Sequence, residues 1–181
     1  NSIRDEIEEN SIAVSFDDGY ASSIKYALPI LEEYKIPCVI FVATGFIKQQ
    51  STQFISRKQL QELASHELIS IGSHTVTHPH LVRCNNEILH RELVESKLFL
   101  EDICGKQITC LSYPNGSYDT RTITEAKKTG YQQAYCSRVG YNATEENRYS
   151  LARTCIYGSD KLTDFKGRVF GHNDWHGLFF S

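Results

Sequence analysis

Short apolar runs that alternate with amphipathic segments constrain the fold of this 181-residue chain more than any other feature. The runs are rich in β-branched and aromatic residues, as strands are, and the segments between them repeat apolar residues at helical spacing. Such alternation gives right-handed crossovers and a parallel sheet covered by helices. Strands are predicted at 12–16, 38–43, 68–72, 108–113, 133–137 and 153–157. Helices are predicted at 22–34, 56–65, 86–104 and 119–129, with a further short helical pattern after residue 160.

The number of strands and the chain length select among the parallel α/β folds. A complete eight-stranded barrel takes roughly 250 residues, which is more than this chain has. We therefore expect a shortened, incomplete (β/α) barrel with about six parallel strands. A flat, doubly wound sheet is the alternative. Because domains average roughly 100 to 200 residues, residues 1–181 are expected to form one domain.

Composition excludes several classes of protein. Apolar residues make up 40% of the chain and charged residues 23%, which is ordinary globular usage. The longest apolar run, residues 38–43, is far shorter than the roughly 20 residues of a membrane-spanning helix. A net charge of −3 and the absence of a basic cluster argue against nucleic acid as a partner. None of these features predicts an oligomeric state.

The cysteines are predicted to be free. The chain has six of them, and no two form a C-x-x-C pair. A free thiol inside an apolar run behaves as a small hydrophobic side chain. The cysteines expected to be buried in this way are Cys38, Cys110, Cys136 and Cys155.

Polar residues follow three of the predicted strands. Asp17, Asp18 and Gly19 follow the first strand, residues 73–80 with three histidines follow the third, and residues 114–116 follow the fourth. Parallel α/β folds place their active sites at the carboxyl ends of the strands. We therefore expect these clusters to share one rim of the sheet.

The residue types at this rim favour a metal ion. Two carboxylates about 4 Å apart repel each other by about 4 kcal/mol at an effective dielectric near 20, and a bound cation removes this penalty. His74 and His78 are spaced so that both imidazoles can approach one ion, and two imidazoles with one carboxylate recur in catalytic zinc sites. His80 is a weaker third candidate. The spacing does not decide between Asp17 and Asp18, and a solvated turn that caps the next helix is the alternative.

Three motifs resemble those of the polysaccharide deacetylases with a NodB homology domain, carbohydrate esterase family 4. Residues 15–19 read SFDDG, where the family commonly has TFDDG. Residues 73–79 read SHTVTHP, a longer variant of the H-(S/T)-x-x-H signature. Residues 112–116 read SYPNG and resemble the YPxG version of the branch that includes biofilm poly-N-acetylglucosamine deacetylases. The resemblance extends over roughly residues 12–157.

This resemblance implies a hydrolase that removes N-acetyl groups from an N-acetylated sugar polymer or glycan by attack of metal-bound water. Asp17 would be the general base, and the backbone N–H of Asn115 would be an oxyanion donor. Tyr113 and Pro114 would contact the substrate. The implied ligands of the divalent metal, with Zn²⁺ the first candidate, are Asp18, His74 and His78.

The chain departs from the family in two places. The usual catalytic acid, a histidine in a late L-x-H motif, has no counterpart after Asn115, although some relatives carry it upstream of the first motif. His172 and His176 are substitutes in principle. The third-motif arginine is replaced by Ser112, and Arg153 could orient the base in its place.

Two other functions stay open, and the departures from the family motivate the second of them. One is an O-acetyl esterase acting on a polysaccharide, because the same chemistry cleaves esters. The other is a carbohydrate-binding protein that keeps the fold without turnover, with aromatic faces for stacking on sugars. A glycan substrate favours the cell envelope or exterior, whereas six unpaired cysteines favour a reducing compartment, so localisation is left open. The candidate stacking residues are Tyr20, Tyr113, Tyr118 and Trp175.

Overall fold

The computed structural model describes residues 12–49, 51–140, 142 and 148–170, and it forms an α/β fold. The strands are β1 (Val14–Phe16), β2 (Cys38–Val42), β3 (Ile69–Ser73), β4 (Cys110–Ser112) and β5 (Gln133–Tyr135). The α-helices are α1 (Leu28–Tyr34), α2 (Thr44–Lys48), α3 (Arg57–Ala64), α4 (Asn86–Cys104), α5 (Thr120–Thr129) and α6 (Leu162–Val169). A π-helical segment (Ser23–Ala27) runs into α1, and 3₁₀ turns occupy Leu81–Arg83 and Pro114–Gly116.

The strands form one parallel sheet in sequential order. The order is β1-β2-β3-β4-β5, and each strand pairs with the strand that follows it in the chain. A doubly wound sheet reverses its strand order at a switch point, and the described strands show no such reversal. The prediction of an incomplete (β/α) barrel is therefore confirmed, with five strands in the described part of the chain.

Contacts between distant strands show that the sheet curls. The rings of Phe41 on β2 and Tyr135 on β5 lie 5.3 Å apart, although two strands separate them. In a flat sheet, with neighbouring strands about 4.8 Å apart, the same two strands would be about 14 Å apart. The guanidinium of Arg153 lies over both rings, 5.2 Å from Phe41 and 5.9 Å from Tyr135. The sheet therefore closes part of the way around an interior, as a half-barrel.

The main apolar core lies between the sheet and its helices. Ile40 and Val42 of β2 and Ile71 of β3 belong to one buried cluster with Leu60 of α3 and Leu93 of α4. Burying a side chain of this size contributes roughly 1.5–3 kcal/mol relative to leaving it exposed. This packing fixes the strands and leaves their carboxyl ends to carry polar residues.

The two longest helices begin and end at residues that the sequence indicated. The side chain of Asn85 accepts a hydrogen bond from the N–H of Ile88 at the start of α4, and Asp119 caps α5 in the same way. Gly105 and Gly130 follow these helices in the left-handed conformation, which glycine adopts at little cost. The predicted ranges 86–104 and 119–129 are thus correct to within one residue.

The predicted strand at 153–157 is wrong, and the hydrogen bonds give the reason. Leu151 pairs with β5 as a parallel strand would, through an isolated bridge to Tyr135. A regular ladder would then join the N–H of Arg153 to the carbonyl of Cys136. Instead, Nε of the Arg153 side chain donates a hydrogen bond to that carbonyl, at 3.3 Å. The backbone N–H of Arg153 donates to the carbonyl of Arg138, at 3.0 Å. The register shifts, and the ladder ends after one bridge.

Two smaller predictions also needed revision. The helix predicted at 22–34 is divided into the π-helical segment and α1, and the five-residue helix α2 was not predicted. All six cysteines are free thiols, but only Cys38 and Cys136 are fully buried, whereas Cys110 and Cys155 are half-buried. Within the described ranges, no helix has the length and apolar character to cross a bilayer.

Candidate metal centre

The three predicted polar clusters meet at one rim of the sheet. Asp17 and Asp18 follow β1, and His74 follows β3. His74 Nδ1 lies 2.7 Å from the carbonyl oxygen of Ser112, the last residue of β4. The hydroxyl of Ser112 in turn lies 3.2 Å from Oδ2 of Asp17. The first, third and fourth strands are thus linked by polar contacts at their carboxyl ends.

Three of the predicted ligands converge on one point. Oδ1 of Asp18 lies 3.6 Å from Nε2 of His74 and 3.4 Å from Nε2 of His78. One ligand atom from each of these residues lies within 4.8 Å of the others. Two ligands of a tetrahedral zinc ion, each about 2.1 Å from it, are about 3.4 Å apart. The spacing matches what such an ion needs.

The electrostatics of the group also fit a cation. Oδ1 of Asp18 is buried and has no hydrogen-bond partner among the described residues. An unsatisfied buried polar atom costs roughly 1–3 kcal/mol, and a cation would remove that cost. Nδ1 of His74 must carry its proton, because the Ser112 carbonyl can only accept, so Nε2 has a free lone pair toward Asp18. Burial keeps the pKa of His74 below its ordinary value, which favours the neutral, ligating form.

Asp17 stands beside this group and has different partners. Arg153 donates from Nη1 to Oδ1 and from Nη2 to Oδ2, both at 2.7 Å. Arg153 Nη2 also donates to the hydroxyl of Ser112, at 2.7 Å, and Nη1 donates to that of Ser15, at 3.1 Å. Burial raises the pKa of Asp17, but the hydrogen bonds from Arg153 and Ser112 and the charge of Arg153 outweigh it and keep that pKa below its ordinary value.

Comparison with known proteins accounts for this constellation. A family model described as polysaccharide deacetylase matches residues 4–134. The chain belongs to that family. The acidic pair and both histidines lie within the residues that the family model matches.

Two curated relatives of this deacetylase-family chain come from bacteria. YxkH of Bacillus subtilis, named as a candidate polysaccharide deacetylase, is 32% identical over 148 residues, which are 82% of this chain and 52% of YxkH. The poly-beta-1,6-N-acetyl-D-glucosamine N-deacetylase of Staphylococcus aureus (strain MSSA476) is 24% identical over 159 residues, covering 82% of this chain and 55% of the relative. The chain thus spans about half the length of these relatives.

A solved structure shares the fold. The Streptococcus pyogenes deacetylase PplD, determined in complex with acetate, superposes with a TM-score of 0.79 at 24% identity. The match covers 87% of this chain and 69% of PplD. The half-barrel is therefore the fold of the deacetylase family.

Most of the left-handed residues in the described part of this family member lie in the site loops. Outside glycine, positive φ angles occur in the described residues at Asp18 (69°), Thr75 (67°), His78 (59°) and Asn115 (58°), and otherwise only at Lys35. L-residues in this region cost roughly 1–2 kcal/mol each. Such residues persist only where surrounding contacts hold them, and they cluster at functional sites. Two of the three candidate ligands are among them.

The YPxG segment forms a tight turn whose glycine cannot be replaced freely. Gly116 has a φ of 64°, and a Cβ atom on it would lie 2.8 Å from the backbone nitrogen of Ser137. Only glycine fits both the backbone conformation and the space. The preceding residue, Asn115, is exposed at the rim, where its backbone N–H was predicted to act.

The other predicted site residues occupy varied positions. Tyr113 is fully buried, stacks on Tyr118 with a centroid distance of 5.0 Å and donates from its hydroxyl to Tyr149. Pro114 is buried beside it. Their contact with substrate stays a prediction. Tyr20 is at the surface and stacks on Phe54.

The remaining predicted residues are His80 and three residues near the C-terminal end. His80 is exposed and does not belong to the group formed by Asp18, His74 and His78. The candidate acids His172 and His176 and the candidate stacking residue Trp175 fall outside the described residues.

One buried carboxylate near the site was not predicted from the sequence. Glu92 of α4 is 3% exposed and accepts hydrogen bonds from Val76 and Thr77, which lie in residues 73–78, the loop that contains both histidines. We refer to this loop as the histidine turn. The available signal was a charged residue among Leu89, Leu93 and Ser96 on the buried face of a helix.

Proposed function

We propose that this member of the polysaccharide deacetylase family is a metal-dependent hydrolase that removes N-acetyl groups from an N-acetylated sugar polymer. The observation that carries the proposal is the convergence of Asp18, His74 and His78 beside an ionised Asp17. The family match supports the reaction class. The name of the S. aureus relative supports an N-acetylglucosamine polymer as substrate.

The ligand set suits a divalent ion with an open coordination position. Asp18, His74 and His78 would hold the ion, and imidazole with carboxylate favours Zn²⁺. When bound there, such an ion supplies a Lewis acid that polarises the amide carbonyl and increases the acidity of water. The Ser112 carbonyl fixes the orientation and tautomer of the His74 ring through Nδ1.

Asp17 is the proposed general base. Its lowered pKa keeps the carboxylate ionised at neutral pH, so it can accept a proton from the attacking water. A carboxylate offers about four acceptor positions. Arg153 occupies one acceptor position on each oxygen of Asp17, and Ser112 occupies the second position on Oδ2. The remaining position on Oδ1 is where the proton would arrive.

The backbone of the YPxG turn is the proposed oxyanion donor. Asn115 is exposed at the rim, and the turn is fixed by the packing of Gly116 against Ser137. A rigid N–H aimed at the developing negative charge stabilises the transition state, and losing one such donor typically costs roughly 10²–10³ in rate.

The decisive experiment measures acetate released from N-acetylglucosamine oligomers by the zinc-loaded protein. Asp17→Asn should abolish release while the protein still binds zinc, because Asp17 is not in the ligand group. Asp102→Asn, an exposed change on α4, is the matched control and should leave the rate unchanged. Wild-type release by Asp17→Asn would remove this residue from the reaction.

The same assay separates the two alternative functions. Release of acetate from O-acetylated xylan, but not from the N-acetylated oligomer, would make the protein an ester hydrolase. Zinc binding and oligomer binding without release from either substrate would make it a carbohydrate-binding protein.

A further inference from the structure

We infer that Glu92 of α4 is a positioning residue that holds His78 in place for metal binding; this inference rests on the proposed metal site. Among the described residues, Glu92 forms no hydrogen bond or ion pair with any of the three ligands, and its partners are Val76 and Thr77. Its Oε2 accepts hydrogen bonds from the backbone N–H groups of Val76 and Thr77, both at 2.8 Å, and its Oε1 accepts one from the Thr77 hydroxyl, at 2.6 Å. One buried carboxylate thus receives three donors from the segment that leads into His78.

The histidine turn needs external support because its backbone is strained. Thr75 and His78 both have left-handed φ angles, and for a β-branched residue such as Thr75 this is a true outlier. The first turn of α2 bonds to the carbonyl side of the loop, with Thr44 N–H donating to Thr75 and Gly45 N–H donating to Val76. Glu92 accepts hydrogen bonds from the N–H groups of Val76 and Thr77 in the same loop. The loop is therefore held from two opposite directions.

A second residue of α4 supports the start of the same loop. Ser96, one helical turn after Glu92, has its hydroxyl 2.8 Å from that of Ser73. The Ser73 hydroxyl accepts from the N–H of Thr75, at 3.2 Å. Helix α4 therefore contacts both ends of the histidine turn, with Ser96 near His74 and Glu92 near His78.

Apolar packing alone does not account for a carboxyl side chain at this buried position of α4. An ionised carboxylate is costly to bury unless its hydrogen bonds are satisfied. Within the described residues, Glu92 forms no ion pair with a lysine or arginine, and its three donors all come from the histidine turn. An apolar residue would fill the same place in the core. The carboxylate instead orients two successive peptide N–H groups just before a candidate ligand.

The inference predicts a loss of metal affinity when Glu92 is removed. Changes to residues that orient metal ligands typically weaken metal binding by roughly 10–100-fold, and we expect Glu92→Ala to fall in this range. Glu92→Gln should recover most of the affinity, because its amide oxygen can accept from both N–H groups. Thr77→Val, which removes one hydrogen bond and leaves the carboxylate, should weaken zinc binding roughly two- to tenfold.

Glu101 provides a matched control on the same helix. Its carboxylate also supports a loop, by accepting from the N–H of Ile108 and from Lys97, but it contacts no part of the histidine turn. Glu101→Ala should lower stability without changing zinc affinity by more than roughly twofold, since each ligand keeps its contacts.

The experiment measures the zinc dissociation constant of each variant by competition with a chelator. It also measures the urea unfolding midpoint in EDTA and acetate release at saturating zinc. The expected result is weaker zinc binding in Glu92→Ala but not in Glu101→Ala, with excess zinc restoring kcat in Glu92→Ala. A wild-type zinc dissociation constant in Glu92→Ala would overturn the inference. If Glu92→Ala does not fold, the same zinc affinity in Thr77→Val and wild type would overturn it.

The outcomes separate this inference from the proposed function. A wild-type protein that binds zinc but releases no acetate contradicts the proposed hydrolysis, and the zinc affinities still decide the role of Glu92. A wild-type protein that binds no zinc contradicts both.

Discussion

Arg153 and Asp17 form a two-point contact, with each carboxylate oxygen 2.7 Å from one guanidinium nitrogen, although 136 positions separate the residues in the chain. Bidentate pairs of this kind fix orientation as well as charge. Ser112 occupies the position of the arginine in the third family motif. Its side chain is small and forms hydrogen bonds with both Asp17 and Arg153. The small side chain of Ser112 thus leaves room for an arginine from the segment after β5 to reach Asp17.

Replacing Arg153 should impair catalysis without weakening metal binding. We expect Arg153→Ala to reduce acetate release by about 10²-fold or more, because a correctly placed general base contributes roughly 10²–10⁴ to the rate. Arg153→Lys should restore only part of the rate, since an ammonium group cannot reproduce the planar two-point contact. Steady-state kinetics and zinc titration of both variants check this, and an unchanged kcat in Arg153→Ala would contradict it.

Zinc should stabilise the folded protein through His78 but not through His80. With free zinc at 100 times the dissociation constant, the free energy of unfolding should rise by about 2.7 kcal/mol. His78→Ala should lose most of this gain because it removes a ligand, whereas exposed His80 is outside the ligand group. Urea unfolding with zinc and with EDTA measures the difference. An equal zinc effect in His78→Ala and wild type would exclude His78 as a ligand.

Substitutions at Asn115 should distinguish its backbone from its side chain. Asn115→Gly keeps the N–H and suits the φ of 58°, so activity should stay within roughly threefold of wild type if only the backbone acts. Asn115→Val should lose roughly 10²-fold or more, because a β-branched residue disfavours this conformation and displaces the donor. Acetate release at saturating zinc is the measurement. A loss in the glycine variant as large as in the valine variant would assign the role to the side chain, which both variants lack.

The Asp119 cap should contribute stability that depends on pH. Hydrogen bonds from the N–H and hydroxyl of Thr122 keep the pKa of Asp119 below its ordinary value of 3.8. The contribution is therefore complete above pH 3.8 and is lost as the pH falls through the lower, folded-state pKa.

The test compares urea unfolding of wild type and Asp119→Ala across the acid range. At neutral pH the alanine variant should be about 0.5–2 kcal/mol less stable, the usual value of such a cap, and the difference should shrink in acid. Asp119→Asn keeps an uncharged cap and should lack this acid dependence. A constant difference at all pH values would contradict the role of the charge.

Apolar spacing and helix-ending residues predicted those secondary-structure elements that depend on neighbouring residues in the sequence. The spacing of apolar residues along α4, together with Gly105 after it, gave both ends of that helix correctly. The meeting of an acidic pair with His74 and His78 at one rim also followed, because the carboxyl ends of parallel strands share one edge of the sheet. The assignment of the general base to Asp17, by contrast, came from the family resemblance and remains part of the proposal.

Features that depend on distant contacts were not predictable in this way. The segment at 153–157 has the β-branched character of a strand, but the Arg153 side chain takes the Cys136 carbonyl that a ladder would need. The residues next to Glu92 in the sequence do not indicate its hydrogen bonds, because its partners lie 15 and 16 positions earlier, in the histidine turn. In both cases a polar side chain forms hydrogen bonds with the backbone of a distant segment, and hydrophobic periodicity does not identify that segment.

The distance along the chain between Asp17 and Arg153 orders the events of biosynthesis. All three candidate metal ligands have been synthesised once residue 78 is made, but Asp17 acquires its arginine only when the polypeptide beyond β5 folds back onto β1. A nascent or truncated polypeptide that ends before that point would contain the ion-binding residues without an oriented base. Hydrolytic competence would then arise late in synthesis, after the capacity to capture the ion.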